Sequence, residues 1–124
     1  MNYYGIVIEQ SLNNPGIINE FDLVAQKQKG SWKFLLLSIH ENELENQLKK
    51  LQNSMIRIND ECWYSHFFRD ETMIVVYQDA LFKTTVNPND WKEVITYGIN
   101  HGVPIEQLDF DPHTKKEAFN LFEL

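Results

Sequence analysis

Hydrophobic and polar positions alternate at the start of the chain. YYGIVIEQ, rich in aromatic and β-branched side chains, places Tyr4, Ile6 and Ile8 on one face and predicts a strand. Asn14, Pro15 and Gly16 break the pattern, and IINEF after them predicts a short helical turn opened by Pro15. LVAQKQ and SWKFLLLSI predict two strands joined around Lys29 and Gly30, the first polar enough to lie at a sheet edge. The period then changes. Leu44, Leu48, Leu51 and Met55 recur at steps of four, three and four, a stripe that only a helix puts on one side. Asn42 with Glu45 three places on reads as a capping box. Glu41, Glu43 and Glu45 stand at the positive end of the helix dipole, and Lys49 and Lys50 towards the negative end. Glu45 and Lys49 add an ion pair one turn apart, so these charges serve the helix first.

Three more strands follow in quick succession: CWYSHFF, TMIVVY and ALFKTTV, separated by RDE and by Gln78 and Asp79. Such spacing predicts an antiparallel meander. Met73 to Tyr77 is apolar at every position, the pattern of a central strand covered on both sides or crossed by a helix. In NPNDWKEVITYGINHG, Asn87 is a helix cap, Pro88 suits the first helical position and Asp90 the first turn. Trp91, Val94, Ile95, Gly98 and Ile99 share a face. Gly98 admits a close approach to a strand or Trp, at about 1 kcal/mol of helix propensity relative to Ala. Gly102 fits the left-handed position past the helix end, Pro104 blocks continuation, and PIEQ adds a turn before Leu108 and Phe110 return to the core. The tail offers two helix starts, Asp111 before Pro112 and Thr114 with Glu117, with Ala118, Phe119 and Phe122 as the buried side docked on the chain's own domain.

This order predicts a single α+β domain over residues 1–124: one mainly antiparallel sheet of five to six strands with two main helices on one face. A ferredoxin-like topology is one arrangement it allows. With 43% hydrophobic and 13% aromatic residues, the chain has the apolar mass for a core and lacks the composition of a disordered one.

Charge narrows the partners. Eleven basic against 18 acidic residues give a net charge of −7, which repels nucleic-acid phosphate and anionic membranes, so neither is expected as a partner. Residues 63–124 hold 5 basic and 10 acidic side chains and so supply −5 of the −7. That asymmetry attracts a basic protein partner, although solubility alone also accounts for it. Cys62 is the single cysteine, so no internal disulfide forms. MNYYGIVIEQ carries no basic leader, and the apolar stretch around FLLLSI is too short to span a bilayer, so a cytoplasmic location is expected.

Candidate chemistry is sparse. Cys62 and His66, four apart in a strand, lie on the same face but about 13 Å apart, too far to share a metal. Asp109, Asp111 and His113 alternate and in an extended segment would form a shelf for a divalent cation, but Pro112 with Asp111 as cap also reads as a helix start, and the capping reading is the preferred one. No GxSxG elbow, GxGxxG loop or GxxxxGK[ST] cradle occurs, so neither metal nor cofactor is assigned and no catalytic residue is named. Trp63, Tyr64, His66, Tyr97 and His101 form a candidate pocket, with His66 as general base if a sheet face is open; otherwise they are an aromatic core face with His66 towards solvent. Glu106, Asp109 and Asp111 form a candidate acidic surface.

WYSHFF, IVVYQDALFKTT and WKEVITYGINHGVPIEQLDF together resemble the C-terminal half of a group of small bacterial and archaeal proteins that has no assigned activity. The resemblance covers half to two-thirds of the chain and is most specific in YGINHGVPIEQLDF. It implies an α+β domain and carries over no functional residue. Two readings of function follow. In the first, the chain is a non-enzymatic cytoplasmic domain that binds another protein, as a small inhibitor or immunity-type protein does. In the second, it is a small-molecule binder or enzyme built on the aromatic and histidine pocket. Homo-oligomer formation through an edge strand or uncovered face is a third route to assembly.

Overall fold

Two crossovers set the order of the sheet. The computed structural model describes residues 2–55, 63–108, 110 and 114–123. Its strands are β1 (Asn2–Ile8), β2 (Asp22–Lys29), β3 (Trp32–His40), β4 (Tyr64–Arg69), β5 (Thr72–Tyr77) and β6 (Leu81–Thr85). They form one sheet, β2-β3-β1-β4-β5-β6, in which every neighbouring pair is antiparallel. The expected α+β class and antiparallel sheet are both present. After β1, the 3-10 turns Glu9–Ser11 and Pro15–Glu20 carry the chain across β3 to the sheet edge. Helix α1 (Leu44–Asn53) then carries it from β3 past β1 to β4.

Both crossovers cover the same face. Leu12, Ile18 and Phe21 from the first, and Leu48 and Leu51 from α1, join Val7, Leu35, Leu37, Phe67, Ile74 and Val76 in one buried cluster. On the opposite face, α2 (Lys92–Asn100) packs Val94 on Met73, Val75 and Tyr77. There α3 (Lys115–Leu121) packs Ala118 on Ile6, Leu36 and Phe68.

The helices therefore do not share one face, as the order of elements had predicted. The cause is β5. Met73, Val75 and Tyr77 point one way, Ile74 and Val76 the other, and all five are at most 3% exposed, so the strand must be covered on both sides. With the 3-10 turns of the first crossover in the place of a first helix, β1 to β4 follow the β-α-β-β-α-β order of a ferredoxin-like unit, which β5, β6, α2 and α3 extend, so that topology remains one the fold allows.

Local chemistry explains the joints. Gly30 takes φ 60° in the turn of the β2–β3 hairpin, and β2 lies at an edge as its polarity predicts. That edge is blunted by a bulge between Leu23 and Ala25 and by Lys27 and Lys29. The Asn42 capping box is not formed. A 3-10 turn, Glu41–Glu43, pushes the start of α1 on to Leu44 and puts Asn42 inside the turn. His40 caps that 3-10 turn, its Nδ1 accepting from the Asn42 N–H at 3.1 Å. In the last turn of α1, Gln52 donates to the carbonyls of Tyr77 (2.8 Å) and Ala80 (3.2 Å), fastening the helix to the β5–β6 turn.

At the rim of the α1 face, Arg69 donates to Glu41 at 2.6 Å while its guanidinium lies 4.6 Å from the centre of the Tyr3 ring. The hydrogen bond from Arg69 holds the Glu41 carboxyl below its ordinary pKa of 4.5. In the middle of the sheet, Gly5 of β1 stands opposite Phe67 of β4, and the Phe67 ring fills the space that a side chain at Gly5 would need.

Candidate functional site

The α2 corner is built from the residues that stop the helix. Asn87 accepts from the Asn89 N–H at 3.0 Å and caps the 3-10 turn Pro88–Asp90, after which α2 begins at Lys92. Trp91, Val94 and Gly98 form its buried line. A side chain at Gly98 would start 2.7 Å from Tyr77 Oη and 2.8 Å from Leu108 Cδ2, so the close approach expected of this glycine is made to Tyr77 and Leu108. The same Tyr77 hydroxyl donates to the Val94 carbonyl at 2.9 Å.

At the helix end Gly102 takes φ 94°, and the Val103 N–H returns to the Gly98 carbonyl at 2.9 Å. Pro104 then leads into the 3-10 turn Ile105–Gln107, which packs against α2, and Leu108 and Phe110 are buried beyond it. The helix stop and tucked-in loop read from YGINHGVPIEQLDF are both present. Inside, the corner is fastened by Trp91, Leu108 and Phe110. Outside, it presents Ile99 at 46% and Ile105 at 65% exposure, with Glu106, next to Ile105 in the 3-10 turn, also exposed. Ile99 was expected on the buried face. The contact of Gly98 with Tyr77 sets the buried line through Trp91, Val94 and Gly98, which turns Ile99 to the flank.

The five candidate pocket residues are divided by the pleat of the sheet. Trp63 packs on the α1 face, its ring 5.2 Å from that of Trp32. Tyr64 and His66 point to the other face, where both face the Phe110 ring, at 5.3 and 6.2 Å. His66 is buried at 6% exposure and also neighbours Phe68 at 6.0 Å; it does not turn to solvent, because Phe110 folds back over β4. Tyr97 stacks on the exposed His101 at 3.9 Å and lies 4.7 Å from Tyr77, which lies 6.0 Å from Tyr64. Four of the residues thus stand along a row of rings from β4 to the end of α2. The Tyr64 hydroxyl bonds the Gln107 carbonyl and ties that row to the corner.

Asp109, Asp111, Pro112, His113 and Cys62 lie outside the described residues, and with them the cation shelf and the Cys62–His66 pair. Among the described residues no three His, Cys, Asp or Glu gather at metal-binding distance, and no helix is long and apolar enough to cross a membrane.

No protein-family model matches this chain, and no curated protein or solved structure matches it. The chemistry of the corner therefore rests on its own residues: two exposed isoleucines, an adjacent carboxylate and a rigid apolar base. Neither isoleucine was singled out as a binding residue by its pattern. The one available signal was Ile105 inside a Pro- and Gly-bounded turn too short to bury it.

Proposed function

We propose that this protein is a non-enzymatic cytoplasmic domain that works by binding another protein, in the manner of a small inhibitor or immunity-type protein, through the α2 corner. The observation that carries this reading is the exposure of Ile99 and Ile105 on a corner whose inner side is locked by Trp91, Leu108 and Phe110. Protein interfaces place apolar anchors at the centre of a polar rim, on a surface that needs little ordering when the partner arrives. The net −5 of residues 63–124 steers a basic partner to that half of the chain. His66, buried among Tyr64, Phe68 and Phe110, fits a packing role better than that of a general base, which must meet its substrate.

Affinity capture from native lysate, with crosslinking, tests the proposal. The wild-type chain is expected to retain a reproducible basic partner. Ile105→Asp, at an exposed site, should weaken capture at least about tenfold, the weight of one buried aliphatic anchor, while the melting temperature stays unchanged. Glu106→Lys should weaken it less and reduce its salt dependence. Absence of a reproducible partner, or capture indifferent to both variants, would refute the reading.

A further inference from the structure

A second surface lies at the other end of the molecule. Helix α3 is opened by Thr114, whose Oγ1 accepts from the Glu117 N–H at 3.1 Å and donates to Glu117 Oε1 at 2.8 Å. Ala118 and Phe122 fasten the helix to the sheet. Its flank does not close over β2. Between them runs an open groove of about 570 Å³, within the ~300–1,000 Å³ range of small-molecule sites.

The floor is apolar, made by Phe34 of β3 with Leu121 and Phe122 of the tail. The rim carries Lys27 and Lys29, two residues apart on β2 and so on one side of the strand. Lys27 is engaged: its Nζ donates to the Leu121 carbonyl at 3.1 Å and stands 3.6 Å from Glu123. Lys29 is exposed and has no ion pair among the described residues. Glu117, the carboxylate of the lining, is turned to the helix cap. A chain of net charge −7 thus offers an uncompensated ammonium beside an aromatic and aliphatic floor.

We propose that this groove binds a small organic monoanion, a carboxylate carried on an aromatic body. The body lies on Phe34, Leu121 and Phe122, and the carboxylate meets Lys29, with the Asn120 amide within the same lining as a second donor. The ligand is a monoanion because Lys29 is one charge and the carbonyl end of α3 opens nearby, which disfavours a second negative charge. A phosphate dianion is the wrong fit.

The probe is 2-naphthoate, titrated into the full chain and followed by amide chemical shifts. Saturable shifts are expected at Lys27, Lys29, Asn120 and Leu121, with the Ile99 and Ile105 amides still. Lys29→Glu should weaken binding at least about tenfold at unchanged melting temperature, because Lys29 is exposed. The neutral isostere 2-naphthalenemethanol should bind more weakly than naphthoate by a similar factor. No saturable shift at those amides up to millimolar probe overturns the proposal. So does equal binding of the alcohol, or indifference to Lys29→Glu, since either would leave the ammonium without a role.

Discussion

The two faces of the sheet are closed in different ways. The α1 face is one cluster dominated by aliphatic side chains, spanned by two connections that are each pinned to strands at both ends. The opposite face is rich in rings and falls into two hydrophobic clusters, one under α2 and one under α3, with the buried His66 between Phe110 of the first and Phe68 of the second. The difference follows from chain order. The 9–21 connection and α1 must return to the sheet, whereas α2 and α3 come after the last strand and are held by what they bury and by side-chain bonds such as those from Tyr77 to the Val94 carbonyl and from Lys27 to the Leu121 carbonyl. A face closed by crossovers serves as the foundation. A face closed by trailing helices leaves open margins, and the exposed isoleucines and the lysine groove lie at those two margins. Units of this kind open separately in a folded protein, and binding surfaces are drawn from them.

The largest test sets one glycine of each face against the other. At Gly5 a methyl group would overlap the Phe67 ring, which is 0% exposed and cannot swing away. Gly5→Ala is expected to cost about 3 kcal/mol, the upper part of the overpacking range. At Gly98 the same change meets Tyr77 Oη at 2.7 Å, but alanine restores about 1 kcal/mol of helix propensity, leaving a net loss of about 1 kcal/mol. Urea denaturation of both variants measures the difference. Equal losses would mean that the α1 face is no more rigid than its opposite.

These contacts mark how far the sequence could be read. The end of α2 was legible because Gly102 and Pro104 act on their own backbone, and so was the Thr114 cap, whereas Asn87 and Pro88, read as the helix start, open the 3-10 turn that precedes α2. The hairpin, the meander and the polar edge strand followed from the period of two. What escaped depends on partners distant in sequence. Nothing local says that Phe67 will lie across Gly5, or that a 3-10 turn capped by His40 will take Asn42 and leave α1 to start at Leu44. The sharing of helices between faces was half visible, since the apolar run Met73 to Tyr77 of β5 already required cover on both sides. In the candidate pocket, the pleat alone separates Trp63 from Tyr64 and His66, whereas bringing Phe110 over His66 required the tertiary fold. The α3 groove was not legible at all, because Lys29 and Leu121 meet only through the sheet.

A smaller effect sharpens the division of the ring-rich face. Thr114→Ala removes both hydrogen bonds of the α3 cap and is expected to cost about 1 kcal/mol. If α3 opens on its own, hydrogen exchange at the Ala118 and Phe122 amides should speed up about fivefold while the Ile95 amide, bonded to the Trp91 carbonyl within the α2 unit, is unchanged. Matching acceleration at Ile95 would show that the two clusters open as one.

The smallest effect concerns the rim of the α1 face, where Arg69 bridges Glu41 and Tyr3. The Arg69 hydrogen bond depresses the folded-state pKa of Glu41 below 4.5, so the unfolded chain binds this proton more readily than the folded one. The stabilisation is therefore complete above the unfolded pKa, fades as pH drops below about 4.5, and is lost once pH passes below the depressed folded value. Both side chains lie at the surface, so water and salt screen the pair and its contribution is slight. Glu41→Gln should leave the α1 face intact and should lower the urea midpoint at pH 7 more than at pH 3, with the gap narrowing in high salt. Curves for the two proteins that run parallel from pH 7 to pH 3 would show that packing on Tyr3, and not charge, holds Arg69 at this rim.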